Sequence, residues 1–181
     1  MFKTRLLIFL FLLVGISAKA SFLLLPMDDT TQQNHLKAYG ITYWAIDKQY
    51  KVSWLLNYRG GSFLISDAPE IRRECQIRGV SFEILSDGQT QIILDKIASP
   101  SQNMESVALE KAPKVAVYTP DGKMPWDDAV TLVLTYAEIP FTKVYDTEVL
   151  SDQLLLYDWL HLHHEDFTGQ YGKFFGAYRN A

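Results

Sequence analysis

The chain has 181 residues, 48% hydrophobic and 21% charged, with a formal net charge of −4. This balance excludes a disordered or fibrous protein and fits one globular domain or two small lobes sharing a sheet. Cys75 is the only cysteine, which excludes an internal disulfide. An acidic chain without a basic patch also argues against nucleic-acid binding, where phosphate neutralisation supplies most of the affinity.

Residues 1–20 differ in kind from the rest. Lys3 and Arg5 form a basic start, Leu6 to Val14 is an unbroken apolar run, and Ala18-Lys19-Ala20 is a small-x-small junction. That is the pattern of a secretory signal peptide, so cleavage near Ala20 and a periplasmic or extracellular protein are expected. The run is shorter than the about 20 residues needed to span a bilayer, and no cysteine at the junction offers a lipid anchor, so membrane contact is expected only through the leader. Losing Lys3, Arg5 and Lys19 leaves 14 basic residues against 21 acidic ones, a net charge of −7.

Phe22 to Leu25 is a short apolar strand closed by Pro26, and Thr30 or Thr31 is positioned to cap a helix after it. That helix, from about Gln32 to Asp47, would bury Leu36, Tyr39, Gly40 and Tyr43; the alternative ends it at Gly40 and adds a strand from Ile41 to Ile46. Val52 to Leu56 is the next strand. Pro69 opens a helix that Gly79 closes after Arg78, Ser81 to Leu85 alternates as a strand, and Asp87 to Ala98 reads as a helix. Residues 21–98 therefore spell a βαβαβα lobe. Residues 99–112 contain Ser-Pro-Ser-Gln-Asn without sustained periodicity and read as a connection.

A second α/β lobe, residues 113–181, restarts the cycle. Lys114 to Tyr118 is a strand, and Pro125 opens a helix with Trp126, Ala129, Val130, Val133 and Ala137 on one face. Thr142 to Tyr145 is the next strand, Thr147 can cap a short helical piece before Leu156, and then comes a buried strand in which Leu160 and Leu162 alternate with His161 and His163. Tyr171, Phe174, Phe175 and Tyr178 have helical spacing before the final residue Ala181, so this lobe reads as incomplete. The expectation for the whole is an α/β protein with a mostly parallel sheet and helices on both faces, truncated at its carboxyl end.

Three phrases carry a family resemblance: Trp54-Leu55-Leu56-Asn57-Tyr58-Arg59-Gly60-Gly61-Ser62-Phe63, Pro125-Trp126-Asp127-Asp128-Ala129-Val130-Thr131-Leu132, and the run from Tyr157 to Phe174. Together they resemble an exported bacterial family often labelled asparagine synthetase B. The order from Lys114 onward resembles the class I glutamine amidotransferase superfamily, which implies a flavodoxin-like fold. A glutamine-hydrolysing, ATP-dependent asparagine synthetase uses a cysteine after the initiating methionine, whereas Phe2 stands here. Its ATP loop Ser-Gly-Gly-x-Asp-Ser shares only the paired glycines with Arg59-Gly60-Gly61-Ser62-Phe63-Leu64. That activity is therefore not carried over. No Gly-x-Cys-x-Gly or Gly-x-Ser-x-Gly elbow occurs in the chain, so an amidotransferase nucleophile does not carry over either.

Two stretches are candidate sites. His163, His164, Glu165 and Asp166 form a polar strand tip suited to acid/base work, or to a divalent metal such as zinc held by His161 and His163, with His35 the only other histidine. No other cofactor is expected. Arg59, Gly60, Gly61 and Ser62 could grip an anionic ligand, since arginine binds carboxylates through two parallel bonds and glycines let backbone N–H groups approach; a plain chain reversal is the alternative. Tyr39, Tyr43, Trp44, Trp54 and Tyr58 could line a sugar or peptide groove. The functional expectation is an exported, soluble domain that binds or hydrolyses a small polar substrate at strand ends; whether it is an enzyme stays open. The alternatives are a non-catalytic binding or assembly module and a metal-dependent hydrolase using the His-rich strand.

Overall fold

A computed structural model describes residues 21–119 and 129–162. The elements are β1 (Ser21–Leu25), α1 (His35–Asp47), β2 (Val52–Leu56), β3 (Phe63–Ser66), α2 (Pro69–Arg78), β4 (Glu83–Ser86), α3 (Asp87–Ile97), β5 (Glu105–Leu109), β6 (Val115–Tyr118), α4 (Ala129–Ala137), β7 (Phe141–Val144), α5 (Asp146–Leu150), a 3-10 turn (Gln153–Leu156) and β8 (Trp159–Leu162). No helix among the described residues is long and apolar enough to cross a membrane.

The expectation of a mostly parallel sheet of flavodoxin-like or amidotransferase-like type is overturned. The larger sheet has five strands in the order β4-β1-β3-β2-β5, and every neighbouring pair in it is antiparallel. A second, three-stranded sheet in the order β7-β6-β8 is parallel. Two short strands account for the difference. β3 comes directly after the Gly60-Gly61 turn and slots between β1 and β2, which run in the same direction but do not pair. β5 lies inside the stretch read as a connection and pairs with all five residues of β2. The β1-α1-β2 and β3-α2-β4 units thus interleave, giving the split βαβ arrangement of ferredoxin-like sheets, extended here by α3 and β5.

Helices sandwich this sheet. Leu23 and Leu25 of β1 face α1 and α2, where Ala38, Ile41, Ala45, Ile71 and Cys75 complete the larger core. Leu24 points the other way, into Leu55, Leu64, Leu85 and Ile97 under α3. A strand covered on both faces must be apolar throughout, which explains Phe-Leu-Leu-Leu in β1 and Phe-Leu-Ile in β3. Each fully buried leucine contributes about 2 to 3 kcal/mol from water exclusion alone.

Local chemistry sets the helix ends. Pro69 occupies the first turn of α2, and Gly79 ends it in the left-handed conformation at φ 65°. Ser86 and Gln89 cap α3 reciprocally. α1 runs unbroken through Gly40, capped by Asn34 rather than by Thr30 or Thr31. Its buried residues are Ala38, Gly40, Ile41, Thr42 and Ala45, while Leu36 and Tyr39 are exposed. The face differs from the expected one because α1 packs against the five-stranded sheet on one side and α4 on another.

The glycine makes the second contact. A Cβ built on Gly40 would lie 1.7 Å from the carbonyl oxygen of Ala137 in α4. Around it, Glu138 accepts from Lys37 at 2.5 Å and meets the Arg78 guanidinium at 3.3 Å, and the Tyr43 hydroxyl donates to the Pro113 carbonyl at 2.9 Å. α4 buries Thr131, Leu134 and Ala137, leaving Val133 exposed. Leu134 packs on Val115 and Val117 of β6.

A glycine inside a helix costs about 0.5 to 1 kcal/mol relative to alanine. Gly40→Ala should nevertheless destabilise the protein, because displacing the Ala137 carbonyl costs about 2 to 3 kcal/mol and outweighs the gain in helix propensity. Urea unfolding of this variant should show a lower midpoint than the parent.

Candidate functional site

The Arg59-Gly60-Gly61-Ser62 segment forms the turn between β2 and β3, with φ angles of 46° at Arg59, 79° at Gly60 and 88° at Gly61. Gly60 is required by space as well as by angle: a Cβ there would sit 2.3 Å from the Met27 carbonyl oxygen. The N–H groups of Gly61 and Ser62 both donate to the Tyr58 carbonyl, at 3.1 and 3.0 Å, and the buried Ser62 hydroxyl donates to the Arg59 carbonyl. The same Arg59 carbonyl accepts from the Met27 N–H at 3.1 Å. The turn is thereby stitched to the residues just after β1.

The guanidinium of Arg59 has three protein partners. Nε donates to Asp28 at 2.8 Å, Nη1 to Glu83 at 2.8 Å and Nη2 to the Thr31 hydroxyl at 3.1 Å. Asp28 is held well below the usual carboxylate range, chiefly by the Thr30 and Thr31 hydroxyls that donate to it and further by Arg59. His35 continues the network, with Nε2 at 3.0 Å from the Met27 carbonyl and 3.5 Å from the Asp29 carboxylate. The cluster closes the loop after β1 against the β2-β3 turn.

Tyr39, Tyr43 and Trp54, three of the five aromatics expected to line a groove, meet in one. Thr42 and Ile46 of α1, Phe63 of β3, Leu109 of β5 and Ile139 complete its lining, and it has a volume of about 290 Å³. Trp54 lies nearly parallel to Phe63 at 6.3 Å between ring centroids, and Tyr39 meets the edge of Phe63 at 5.4 Å. Three of the polar tips turn into the protein: Trp54 Nε1 donates to the Gly61 carbonyl at 3.0 Å, Tyr43 to Pro113, and Thr42 to Ala38. Trp44 stacks on Tyr50 instead, and Tyr58 lies beneath the Lys96 ammonium.

His161 lies in β8, registered beside Val117 of β6 and therefore on the sheet face that α4 covers. β8 is an edge strand among the described residues, with Trp159, Leu160 and Leu162 exposed rather than buried as expected. His163, His164, Glu165 and Asp166 lie outside the described residues, and so does the tip they would form. Among the described residues no group of three or more His, Cys, Asp or Glu side chains is arranged to hold a metal ion. Cys75 is fully buried, and burial pushes its thiol up to about 12.

No family model matches the chain, and neither the curated proteins nor the solved structures contain a match.

The Asp28 cluster has a pH signature. A carboxylate depressed in the folded state stabilises it above the unfolded value of about 3.9, and the contribution fades as pH falls toward the depressed value. Asp28→Asn should therefore lower the melting temperature at pH 7, and the gap from the parent should narrow below about pH 4. Thermal melts of both proteins from pH 7 to pH 2 measure this directly.

Proposed function

We propose that this is an exported, non-catalytic binding module that takes an extended peptide segment and seats its apolar side chain in the aromatic groove. The observation that carries the reading is the convergence of Tyr39, Tyr43, Trp54 and Phe63 on one concavity. A sugar needs hydrogen-bonding partners within its site, but Trp54, Tyr43 and Thr42 already donate to backbone carbonyls. An aromatic or aliphatic side chain needs only surface to bury, and rings meeting edge to face add about 0.5 to 1.5 kcal/mol per pair.

The neighbouring edge supports a peptide in particular. β5 ends the five-stranded sheet, and its outer main chain is not paired with another strand among the described residues. Trp54 is registered opposite Val107 and Val52 opposite Leu109, so these four share the groove side of the sheet. Alternate residues of a strand added along β5 would point to that side.

A hydrolase built on the Arg59 turn is disfavoured because every guanidinium nitrogen of Arg59 already has a protein partner and the Gly61 and Ser62 donors are engaged within the turn. The acid/base and metal readings of His163, His164, Glu165 and Asp166 rest on residues outside the described ones. Export is supported by the leader pattern of residues 1–20.

Calorimetric titration of the chain beginning at Ser21 tests the reading, using the end-blocked peptide Thr-Phe-Thr-Phe-Thr and its counterpart with serine in place of phenylalanine. The phenylalanine peptide should bind saturably and the serine peptide should not. Tyr39→Ser, at an exposed ring, should weaken binding about tenfold, equivalent to about 1.4 kcal/mol. Absence of binding by the phenylalanine peptide, or indifference to Tyr39→Ser, overturns the proposal.

A further inference from the structure

β1 begins at Ser21, the residue directly after the Ala18-Lys19-Ala20 junction of the leader. Ser21 is tied into the sheet from its first atoms. Its hydroxyl donates to Asp67 Oδ2 at 2.5 Å, its carbonyl accepts from the Asp67 N–H at 3.0 Å, and its Cα is registered opposite Ser86 of β4. Asp67 is a buried carboxylate, its side chain only 4% exposed, that grips Arg72 through both oxygens, with Nε at 2.6 Å from Oδ1 and Nη2 on Oδ2. The Arg72 guanidinium and then the Ser21 hydroxyl hold that carboxyl below its usual range.

In an antiparallel ladder the N–H and C=O of one residue point toward the same neighbouring strand. The Ser21 carbonyl points to Asp67, so the Ser21 nitrogen points to that side as well. Within a serine the nitrogen also stays within about 4 Å of its own Oγ, three bonds away. The nitrogen of Ser21 therefore lies on the Asp67 side of the strand, within about 4 Å of the hydroxyl that meets the buried carboxylate.

We propose that removal of the leader after Ala20 creates an α-ammonium at Ser21 that Asp67 captures, so that processing adds a charge pair at the start of the central sheet. The inference rests on the export reading above and deepens it. In the step itself a signal peptidase adds water across the Ala20–Ser21 bond, leaving a carboxylate on Ala20 and an amine on Ser21, which takes up a proton below its pKa of about 8. Before cleavage that nitrogen is a neutral amide. After it, one buried carboxylate lies between two cations, the guanidinium of Arg72 and the new ammonium. A charge pair at so shielded a position is screened far less than one on the open surface.

The test begins with the full chain expressed with its leader in a bacterial host and recovered from the periplasm. Amino-terminal sequencing should return Ser21 as the first residue. The same protein is then compared with a form acetylated only at its amino terminus, which keeps every side chain and removes the charge. The free-amine form should melt several degrees higher, and Asp67→Asn should abolish the difference between the two forms. A mature end at another residue overturns both the export position and the capture. A start at Ser21 with equal melting of the free and acetylated forms overturns the capture alone and leaves the export reading standing.

Discussion

The approach of Gly40 to the Ala137 carbonyl is the constraint on which the arrangement beyond the five-stranded sheet depends. Only hydrogen at that position of α1 leaves room for the α4 backbone. The charges of Lys37 and Arg78 then converge on Glu138, the residue after the contact. Ile139, one residue further, becomes a wall of the aromatic groove. The groove is therefore composite: all four of its aromatic rings come from α1, β2 and β3, and one side exists only because α4 docks where it does. Any change that pushes α4 outward opens the groove without touching a ring.

The sheet explains why sequence patterns located elements more readily than partners. Pro69 and Gly79 bracket α2, and Ser86 caps α3, because these signals act within one turn of chain. Strand direction carries no such local mark. An unbroken apolar run such as Leu23-Leu24-Leu25 reports only that both faces are covered, and an antiparallel sheet between helices demands that as strictly as a parallel one. β3 is four residues long and starts at once after paired glycines, and β5, Glu-Ser-Val-Ala-Leu, has exposed residues at three of five positions. Neither has enough periodicity to stand out. Missing them converts two interleaved βαβ units into a simple parallel series.

The candidate sites divide along the same line. Arg59 beside two glycines was legible as a cation on a tight turn, but the residues that occupy it, Asp28, Thr31 and Glu83, come from the loop after β1 and from β4. Pairing across such separations is a property of the fold. The aromatics were legible as a set, while their sorting was not: Tyr39 and Tyr43, one helical turn apart on α1, reach Trp54 only because β3 brings Phe63 between β1 and β2. Thr42, Ile46, Leu109 and Ile139 carry no sequence signal that separates them from ordinary core residues.

The glycine turn and the groove are nonetheless one construction. Trp54 stands beside the turn and donates its indole N–H to the Gly61 carbonyl, and a Cβ on Gly61 would press within 3.2 Å of that indole nitrogen. The turn keeps its shape because the Tyr58 carbonyl takes two of its N–H groups and because Arg59 is anchored by Asp28, Glu83 and Thr31. An indole whose only donor is already engaged has no polar reason to rotate toward solvent, so its face stays parallel to Phe63 and available to the groove. The polar cluster thus acts on the shape of the groove at one remove. It fixes the carbonyl that fixes the ring, so the Arg59 segment positions the aromatic surface from behind.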